Sequence, residues 1–334
     1  MQRVDCPVIV LVGPTAVGKT ELSFRLAERF NCEIISMDSM QVYRGMNIGT
    51  AKPSLEERAQ IPHHLIDIAE PDEQYDAARF FHDALAAIRE IAACGKAVLL
   101  TGGTGLYLKA LLEGLFDALP ADKSVRRRLQ TRLAEEGRAA LHAELCRIDP
   151  AAGARIHAND TQRLLRGLEI FHSSGRTWTE LIAEQQQAAP RGAVFSRVCQ
   201  IGLRCPKEEL HERIARRSRT MIEQGLVEET ERLQQDGHGP ELPSMQAIGY
   251  RHANRLLAGE WTQAEMLEQL ILDTRRYAKR QMTWFSASKA LRWFEREEYE
   301  VLAGEITQKL ALQEQGGMSQ PTDALGISRL MRRA

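Results

Sequence analysis

No run of apolar residues in this chain approaches the roughly 18 that a membrane-spanning helix needs. Its first residues lead into a β-branched stretch and not a basic-then-apolar leader, so the expectation is a protein neither exported nor anchored. Paired cysteines are missing too. The six present, Cys6, Cys32, Cys94, Cys146, Cys199 and Cys205, form no CxxC pair and have no histidine at zinc-site spacing. They read as reduced thiols of a cytoplasmic protein. An excess of one charge is also absent: 44 Lys and Arg against 45 Asp and Glu leave a formal −1. That argues against a surface basic all over, the usual signature of indiscriminate nucleic-acid binding. Local positive faces stay open, because basic residues gather in the stretches 123–138, 204–219 and 275–296. Solvated helix faces laced with i,i+4 pairs are the alternative for each.

What the chain does have is apolar matter for a sizeable core, 43% of 334 residues. Residues 8–12 are a continuous β-branched and leucine run between Pro7 and Gly13, as in a strand buried within a parallel sheet. Leu22, Leu26 and Phe30 then recur every four residues, as on one helix face. A second strand over 33–36 ends at Met37-Asp38-Ser39, and a helix over 78–93 is stopped by Gly95. A third strand over 97–100 runs into Thr101-Gly102-Gly103-Thr104-Gly105. Strands and helices alternating in this way predict an α/β fold with a doubly wound parallel sheet. Beyond Pro120 the pattern changes to charged helices: Val125, Leu129 and Leu133 share a face, and a helix over 161–171 follows the capping candidates Asn159 and Asp160. The division this suggests is a core over 1–119, a helical insertion over 120–192 and a second core portion over 193–312. That second portion opens with a returning strand over 194–203 and is otherwise helical, with a long helix from 262 to about 285. Residues 313–334, with Gly316, Gly317 and Pro321, read as a disordered tail.

Gly13-Pro14-Thr15-Ala16-Val17-Gly18-Lys19-Thr20 meets the P-loop pattern G-x-x-x-x-G-K-[ST] at every position, between a strand and a helix where its mechanism requires it. Backbone N–H groups turn inward around phosphate oxygens and the helix N-terminus adds partial positive charge. Lys19 supplies a full charge, and the Thr20 hydroxyl can hold magnesium. The loop does not name the reaction. Ordinary NTPases end a second strand in an aspartate for magnesium, whereas the best candidate here, Ala97-Val98-Leu99-Leu100, ends in Thr101. Asn-Lys-x-Asp, which specifies guanine, is absent, and that disfavours a GTPase. Asp38 is the carboxylate that does follow a strand. Strand carboxyl ends converge on the ligand crevice of a doubly wound sheet, so Asp38 and Thr104 are expected beside the P-loop. A carboxylate there suits a general base or an outer magnesium ligand; a turn or capping aspartate is the plainer reading.

The segments GPTAVGKT, ISMDSMQVYRGMNIGTAKP, IPHHLIDI, LLTGGTGLYLKALLEGL, NDTQRLLRGLEIF, MQAIGYR and AKRQMTW run in order from about residue 8 to 285. With them the chain resembles the bacterial tRNA dimethylallyltransferases, also called tRNA isopentenyltransferases. The resemblance implies a P-loop core whose helical insertion binds tRNA. It also implies transfer of a dimethylallyl group from dimethylallyl diphosphate to N6 of the adenosine immediately 3′ of the anticodon, with Mg2+ as cofactor. An isoprenoid diphosphate then occupies the P-loop in place of ATP, which makes sense of the missing strand aspartate.

By the same resemblance Asp38 is the general base, Thr104 touches the flipped adenine or its flanks, and Arg217 completes the catalytic set. Gly13, Pro14, Thr15, Ala16, Val17, Gly18, Lys19, Thr20 and Arg217 hold the diphosphate and stabilise charge on it as it departs, with Thr20 on the metal. The tRNA-facing positions are Asp38, Ser39, Met40, Gln41, Thr104, Arg126, Gln162, Arg163, Leu164, Leu165, Arg166, Gln246, Ala247, Ile248, Gly249, Tyr250, Arg251, Lys279, Arg280, Gln281, Met282, Thr283 and Trp284. They mix cations for phosphates with polar and aromatic groups for splayed bases. Flipping is expected because N6 is shielded while the base is stacked.

Some assignments stay open. Leu164 and Leu165 also suit a core, Trp284 also suits packing, and Arg213 can serve the diphosphate or pair with a glutamate. His63 and His64 read as structural, since adjacent side chains point to different faces of any regular element. One position departs from the family pattern: where an arginine commonly follows KRQxTW, this chain has Phe285-Ser286, which weakens the case for a tRNA phosphate contact there. A nucleotide or small-molecule kinase would put ATP on the same loop and use residues 213–219 as a phosphate clamp. A non-catalytic RNA adaptor would have no need of an intact Lys19, Thr20 and Asp38. Expected partners are the tRNA anticodon stem-loop and dimethylallyl diphosphate, with no membrane and a monomeric chain.

Overall fold

The computed structural model describes residues 2–114, 122–187 and 192–315. Among them one parallel sheet forms from β1 (Gln2–Val12), β2 (Cys32–Met37), β3 (His63–His64), β4 (Ala97–Gly102), β5 (Ala193–Leu203) and β6 (Arg292–Phe294). The strand order is β3-β2-β4-β1-β5-β6, the doubly wound arrangement that the alternation predicts. Sequence reading misses β3 and β6. Each spans two or three residues at the sheet's margin, too few for any periodicity to register.

Helix α1 (Lys19–Arg29) links β1 to β2, α2 (Leu55–Gln60) precedes β3, α3 (Ala77–Ala93) leads into β4, and α4 (Gly105–Glu113) follows it. Next come α5 (Lys123–Ile148), α6 (Pro150–Arg155), α7 (Thr161–Ser174) and α8 (Trp178–Gln187). Between β5 and β6 lie α9 (Lys207–Glu223), α10 (Leu226–Gln235), α11 (Tyr250–Leu257) and α12 (Gln263–Ser286), and α13 (Tyr299–Gln315) follows β6.

Val8, Ile9, Val10, Leu11 and Val12 are wholly buried, because β1 has β4 and β5 as neighbours and helices above and below. Alternation sends Ile9 and Leu11 to one face, where they pack with Leu26 of α1 and with Leu302 and Ile306 of α13. Helix α3 packs against β1, β2 and β4.

The described residues divide into two compact units, one built from those up to Leu112 with those from Ala193 to Gln315, the other from those between Glu113 and Gly192. Pro120, where the sequence suggests the boundary, lies outside the described residues. The second unit has its own core of Val125, Leu129, Leu141, Leu145, Ala152, Ile156, Leu164, Leu165 and Leu168. Its helix α5 is broken at Gly137 (φ 81°, ψ 168°). Of the two capping candidates it is Asp160 that caps α7, its carboxylate accepting the Arg163 N–H at 3.1 Å. At the far end, α13 continues to Gln315, past the boundary at 312, and residues 316–334 lie outside the described ones.

Candidate active site

Strand register brings the chemistry together. Val12 stands opposite both Gly102 and Gly202, and Met37 also stands opposite Gly102, so Gly13, Gly103 and Asp38 leave the sheet from one row. The Thr104 N–H donates to Met37 O at 3.2 Å, and the Thr104 hydroxyl accepts the Ser39 N–H at 3.2 Å. These bonds stitch the loop after β4 to the loop after β2. Asp38 Oδ1 accepts the N–H groups of Met40 and Gln41 at 2.8 and 3.4 Å. That is the turn role; Oδ2 has no hydrogen-bond partner among the described residues, so the same carboxylate keeps an oxygen to receive a proton.

On the P-loop, Lys19 Nζ donates to Gly13 O and Pro14 O at 3.0 and 2.8 Å. Burial pushes its pKa down to about 7, Arg217 pushes the same way, and Asp38 opposes them. Arg217 Nη1 donates to the Thr15 hydroxyl at 3.1 Å, and burial lowers its pKa as well, again against Asp38. Two crowded cations thus share one carboxylate, an environment that an anion would relieve. No side chain caps the N-terminus of α1, which leaves its first N–H groups for the same purpose. Arg213 pairs with Glu209 at 2.6 Å, and it also donates to Val17 O of the P-loop at 3.5 Å. Beside the loop opens a cavity of about 500 Å³ lined by Ala16, Asn47, Ile48, Ala51, Lys52, Arg213, Arg216, Arg217, Thr220, Met221 and Gln224.

Helix α12 covers the glycine loop from outside. Gln281 accepts the Thr15 N–H at 2.8 Å and donates to Gly103 O at 3.0 Å. The resemblance sets Gln281 on tRNA; its amide is instead spent inside the protein and it is buried. A Cβ on Gly103 would lie 2.0 Å from Gln281 Nε2, and one on Gly105 would lie 2.1 Å from the Trp284 ring, which is why this turn is so rich in glycine. Trp284 accordingly packs on that turn. One turn earlier stands Tyr277, which sequence reading misses. Burial raises its phenol pKa, and the Asp38 charge raises it further, while Arg280 and hydrogen bonding to Gln281 and Thr104 draw it down. The signal for it was its i,i+4 spacing from Gln281 within the AKRQMTW helix.

The other tRNA-facing candidates sort by exposure. Lys279, Arg280, Thr283 and Gln246 are exposed, and Ser39, Met40, Ala247, Ile248 and Met282 partly so. Arg251 pairs with Asp273 at 2.6 Å. Gln41 turns inward, accepting the Ser36 hydroxyl at 2.8 Å and donating to Thr50 O and Ala51 O at 3.2 and 3.3 Å. Gly249 and Tyr250 are buried, Tyr250 wholly. In the second unit Leu164 and Leu165 are core residues, 0% and 3% exposed, so neither reaches RNA from where it stands. They lie on the apolar face of α7, whose other face carries the polar candidates. Arg126 donates to Gln162 Oε1 at 2.8 Å and lies 3.5 Å from buried Glu169, which also holds Arg166 at 3.2 Å. Arg163 lies 3.5 Å from Asp160. Ser286, exposed at the end of α12, offers no cation.

His63 Nδ1 bonds Ile61 O and His64 Nε2 bonds Glu33, each at 2.7 Å, as befits two structural residues on opposite faces of β3. No group of three His, Cys, Asp or Glu able to hold a metal occurs among the described residues. No helix among them is long and apolar enough to cross a membrane.

Comparison with known proteins meets this geometry. Residues 41–288 match the family model for IPP transferase. A tRNA dimethylallyltransferase of Desulfotalea psychrophila is 47% identical over 297 residues, covering 89% of this chain and 93% of that protein. One from Methylococcus capsulatus is 47% identical over 290 residues, 86% of this chain and 92% of its own. Among solved structures, a tRNA isopentenylpyrophosphate transferase from Bacillus halodurans superimposes with a TM-score of 0.68 at 38% identity, over 92% of this chain and 98% of its own. A eukaryotic dimethylallyltransferase captured acting on tRNA gives 0.73 at 27% identity, over 99% of this chain and 84% of its own. Family model, relatives and fold agree: the chain belongs to the IPP transferase family, as a prenyltransferase of the tRNA dimethylallyltransferase kind.

Proposed function

We propose that the crevice at the carboxyl edge of the sheet binds dimethylallyl diphosphate and passes its five-carbon group to N6 of the adenosine 3′ of a tRNA anticodon. The observation that carries this reading is the charge pattern: Lys19 bonded to Gly13 O and Pro14 O and Arg217 bonded to Thr15 crowd two cations, both with lowered pKa, onto the P-loop within the influence of Asp38. A diphosphate supplies the missing negative charge. In the step itself N6 attacks the allylic carbon, the bond from that carbon to the diphosphate oxygen breaks, and the N6 proton passes to Asp38. Lys19, Arg217 and the N–H groups at the start of α1 take up the charge that grows on the departing diphosphate.

The residues present fit a magnesium ion. Thr20 is exposed at the loop and Asp38 stands near enough to act on Lys19, which suits an ion that takes one or two protein oxygens and otherwise substrate phosphates and water. Thr20 would hold it; bound there, it would neutralise diphosphate charge. Exposed Lys279, Arg280 and Gln246, with Arg163 and Gln162 of the second unit, are the groups we assign to the anticodon stem-loop. The enzyme acts as a monomer in the cytoplasm.

Labelled dimethylallyl diphosphate incubated with an anticodon stem-loop, beside a parallel ATP turnover assay, tests the reading. Label should enter the RNA with release of diphosphate. Steady ATP hydrolysis that ignores RNA, with no label transferred, would overturn it in favour of a kinase-like use of the loop.

A further inference from the structure

Glu229 on α10 is 4% exposed, yet its carboxylate is among the most heavily bonded groups in the protein. It accepts three successive backbone N–H groups: Asn47 at 3.1 Å, Ile48 at 2.9 and 3.0 Å, and Gly49 at 3.3 Å. Such a run of N–H groups is a concave anion nest, filled here by a side chain of the same chain. The Tyr250 hydroxyl donates to the same carboxylate at 2.6 Å, and burial, then Glu229, raises the phenol pKa. Tyr250 is wholly buried with its ring against Gly49, where a Cβ would come within 2.5 Å of it. The far end of the segment is pinned separately, by Lys52 to Asp67 at 2.6 Å and to Tyr43 O. Between these two anchors Asn47, Ile48 and Ala51 form one wall of the cavity that Arg213, Arg216 and Arg217 face.

We infer that Glu229 and Tyr250 are positioning residues that fix this wall, and so set how the isoprenoid diphosphate lies against Arg217. The inference rests on the cavity taking that substrate. Neither residue touches the ligand: Glu229 spends its charge on the backbone, and Tyr250, which the resemblance assigns to tRNA, has no surface to offer RNA. Their effect is on the geometry of a loop and belongs to substrate binding.

The test uses the full chain with Tyr250→Phe, which keeps the ring and removes the hydroxyl, and Glu229→Gln, which keeps the shape and removes the charge. Misplacing a site by about 1 Å can cost on the order of 10²-fold, so KM for dimethylallyl diphosphate should rise roughly 10- to 100-fold. KM for the stem-loop should stay within about twofold, and amide exchange over 47–49 should quicken, since the carboxylate's hold on three backbone N–H groups is weakened. A rise in the RNA KM alone would overturn the inference and return Tyr250 to RNA binding. Faster exchange with an unchanged dimethylallyl diphosphate KM would overturn it as well, leaving a purely structural knot. Should Glu229→Gln fail to fold, Tyr250→Phe still decides, because it keeps the carboxylate in place and removes only the hydroxyl bond that holds it against the backbone N–H groups. Calorimetry of the unaltered protein with dimethylallyl diphosphate separates the two levels: no binding there sinks the proposed function itself, whereas binding with both variants unaffected sinks only this inference.

Discussion

A lysine crowded by burial and by an arginine surrenders its proton easily, and Lys19 does so at about pH 7 where the free side chain would hold on to 10.5. Between those two values the unfolded chain binds more protons at this site than the folded one, so the site's contribution to stability improves as pH rises from about 7. An anion on the loop reverses the shift, because opposite charge favours the ammonium. Diphosphate binding should therefore take up a proton above that pH and weaken as pH rises further. Titration calorimetry of pyrophosphate near pH 8, in buffers of different ionisation heat, should show proton uptake larger in the wild type than in Lys19→Met. Equal uptake in the two would mean that Lys19 is already charged. Asp38 supports a second expectation. Asp38→Asn preserves the turn bonds to Met40 and Gln41 but cannot accept the N6 proton, so single-turnover transfer should fall about 10² to 10⁴-fold with both substrates still bound. If the loss instead appeared as weaker binding, Asp38 would be a positioning group.

Among the elements, α12 ties the site together through a single amide. Gln281→Leu would leave the Thr15 N–H and Gly103 O without their partner, and an unmet buried polar group costs about 1 to 3 kcal/mol. We expect that loss in urea denaturation, accompanied by weaker pyrophosphate binding because the loop loses its tie to α12. Undiminished pyrophosphate affinity in a destabilised variant would show that the loop holds its shape unaided. The glycines of TGGTG were visible as a motif, yet their reason was not: Gly103 and Gly105 are small because a helix more than 150 residues away in sequence presses on them.

For the whole molecule, a net charge of −1 means that RNA must be held by local cations. Arg126 and Arg166 are unsuitable probes of this, because they attend Glu169, and stripping partners from a buried carboxylate costs about 3 to 5 kcal/mol. Arg163 and Lys279 are exposed and fit for the purpose. Alanine at each should leave stability within about 0.5 kcal/mol while reducing the salt slope of tRNA binding by about 0.7 to 1 per residue. Leu164→Ala should do the opposite, costing about 2 to 5 kcal/mol as a core truncation with the slope unchanged. Fluorescence titrations of a labelled stem-loop at several salt concentrations, beside thermal melts, distinguish the two patterns. A changed slope in Leu164→Ala with normal stability would restore that leucine to the RNA face.

The sequence by itself determined the parts that depend on neighbours in the chain: the P-loop between strand and helix, the strand that delivers Asp38, the helical character of the insertion, and the motifs that mark the family. Each rests on a short-range rule, a glycine turn or a repeat of two or of 3.6 residues, that acts within a dozen positions. Tertiary structure decided everything that joins distant segments. The doubly wound pattern leads one to expect Asp38 and Thr104 near the P-loop, but it is the register that sets Asp38, Gly103 and Gly13 in one row. Packing across the fold turned Gln281 inward, sent Leu164, Leu165 and Tyr250 into cores, set Tyr277 beside Asp38, and brought in Glu229, which no local pattern marks. A helix presents opposite faces from adjacent positions, and which face meets the core is fixed by what packs against it, a partner that the local sequence does not contain.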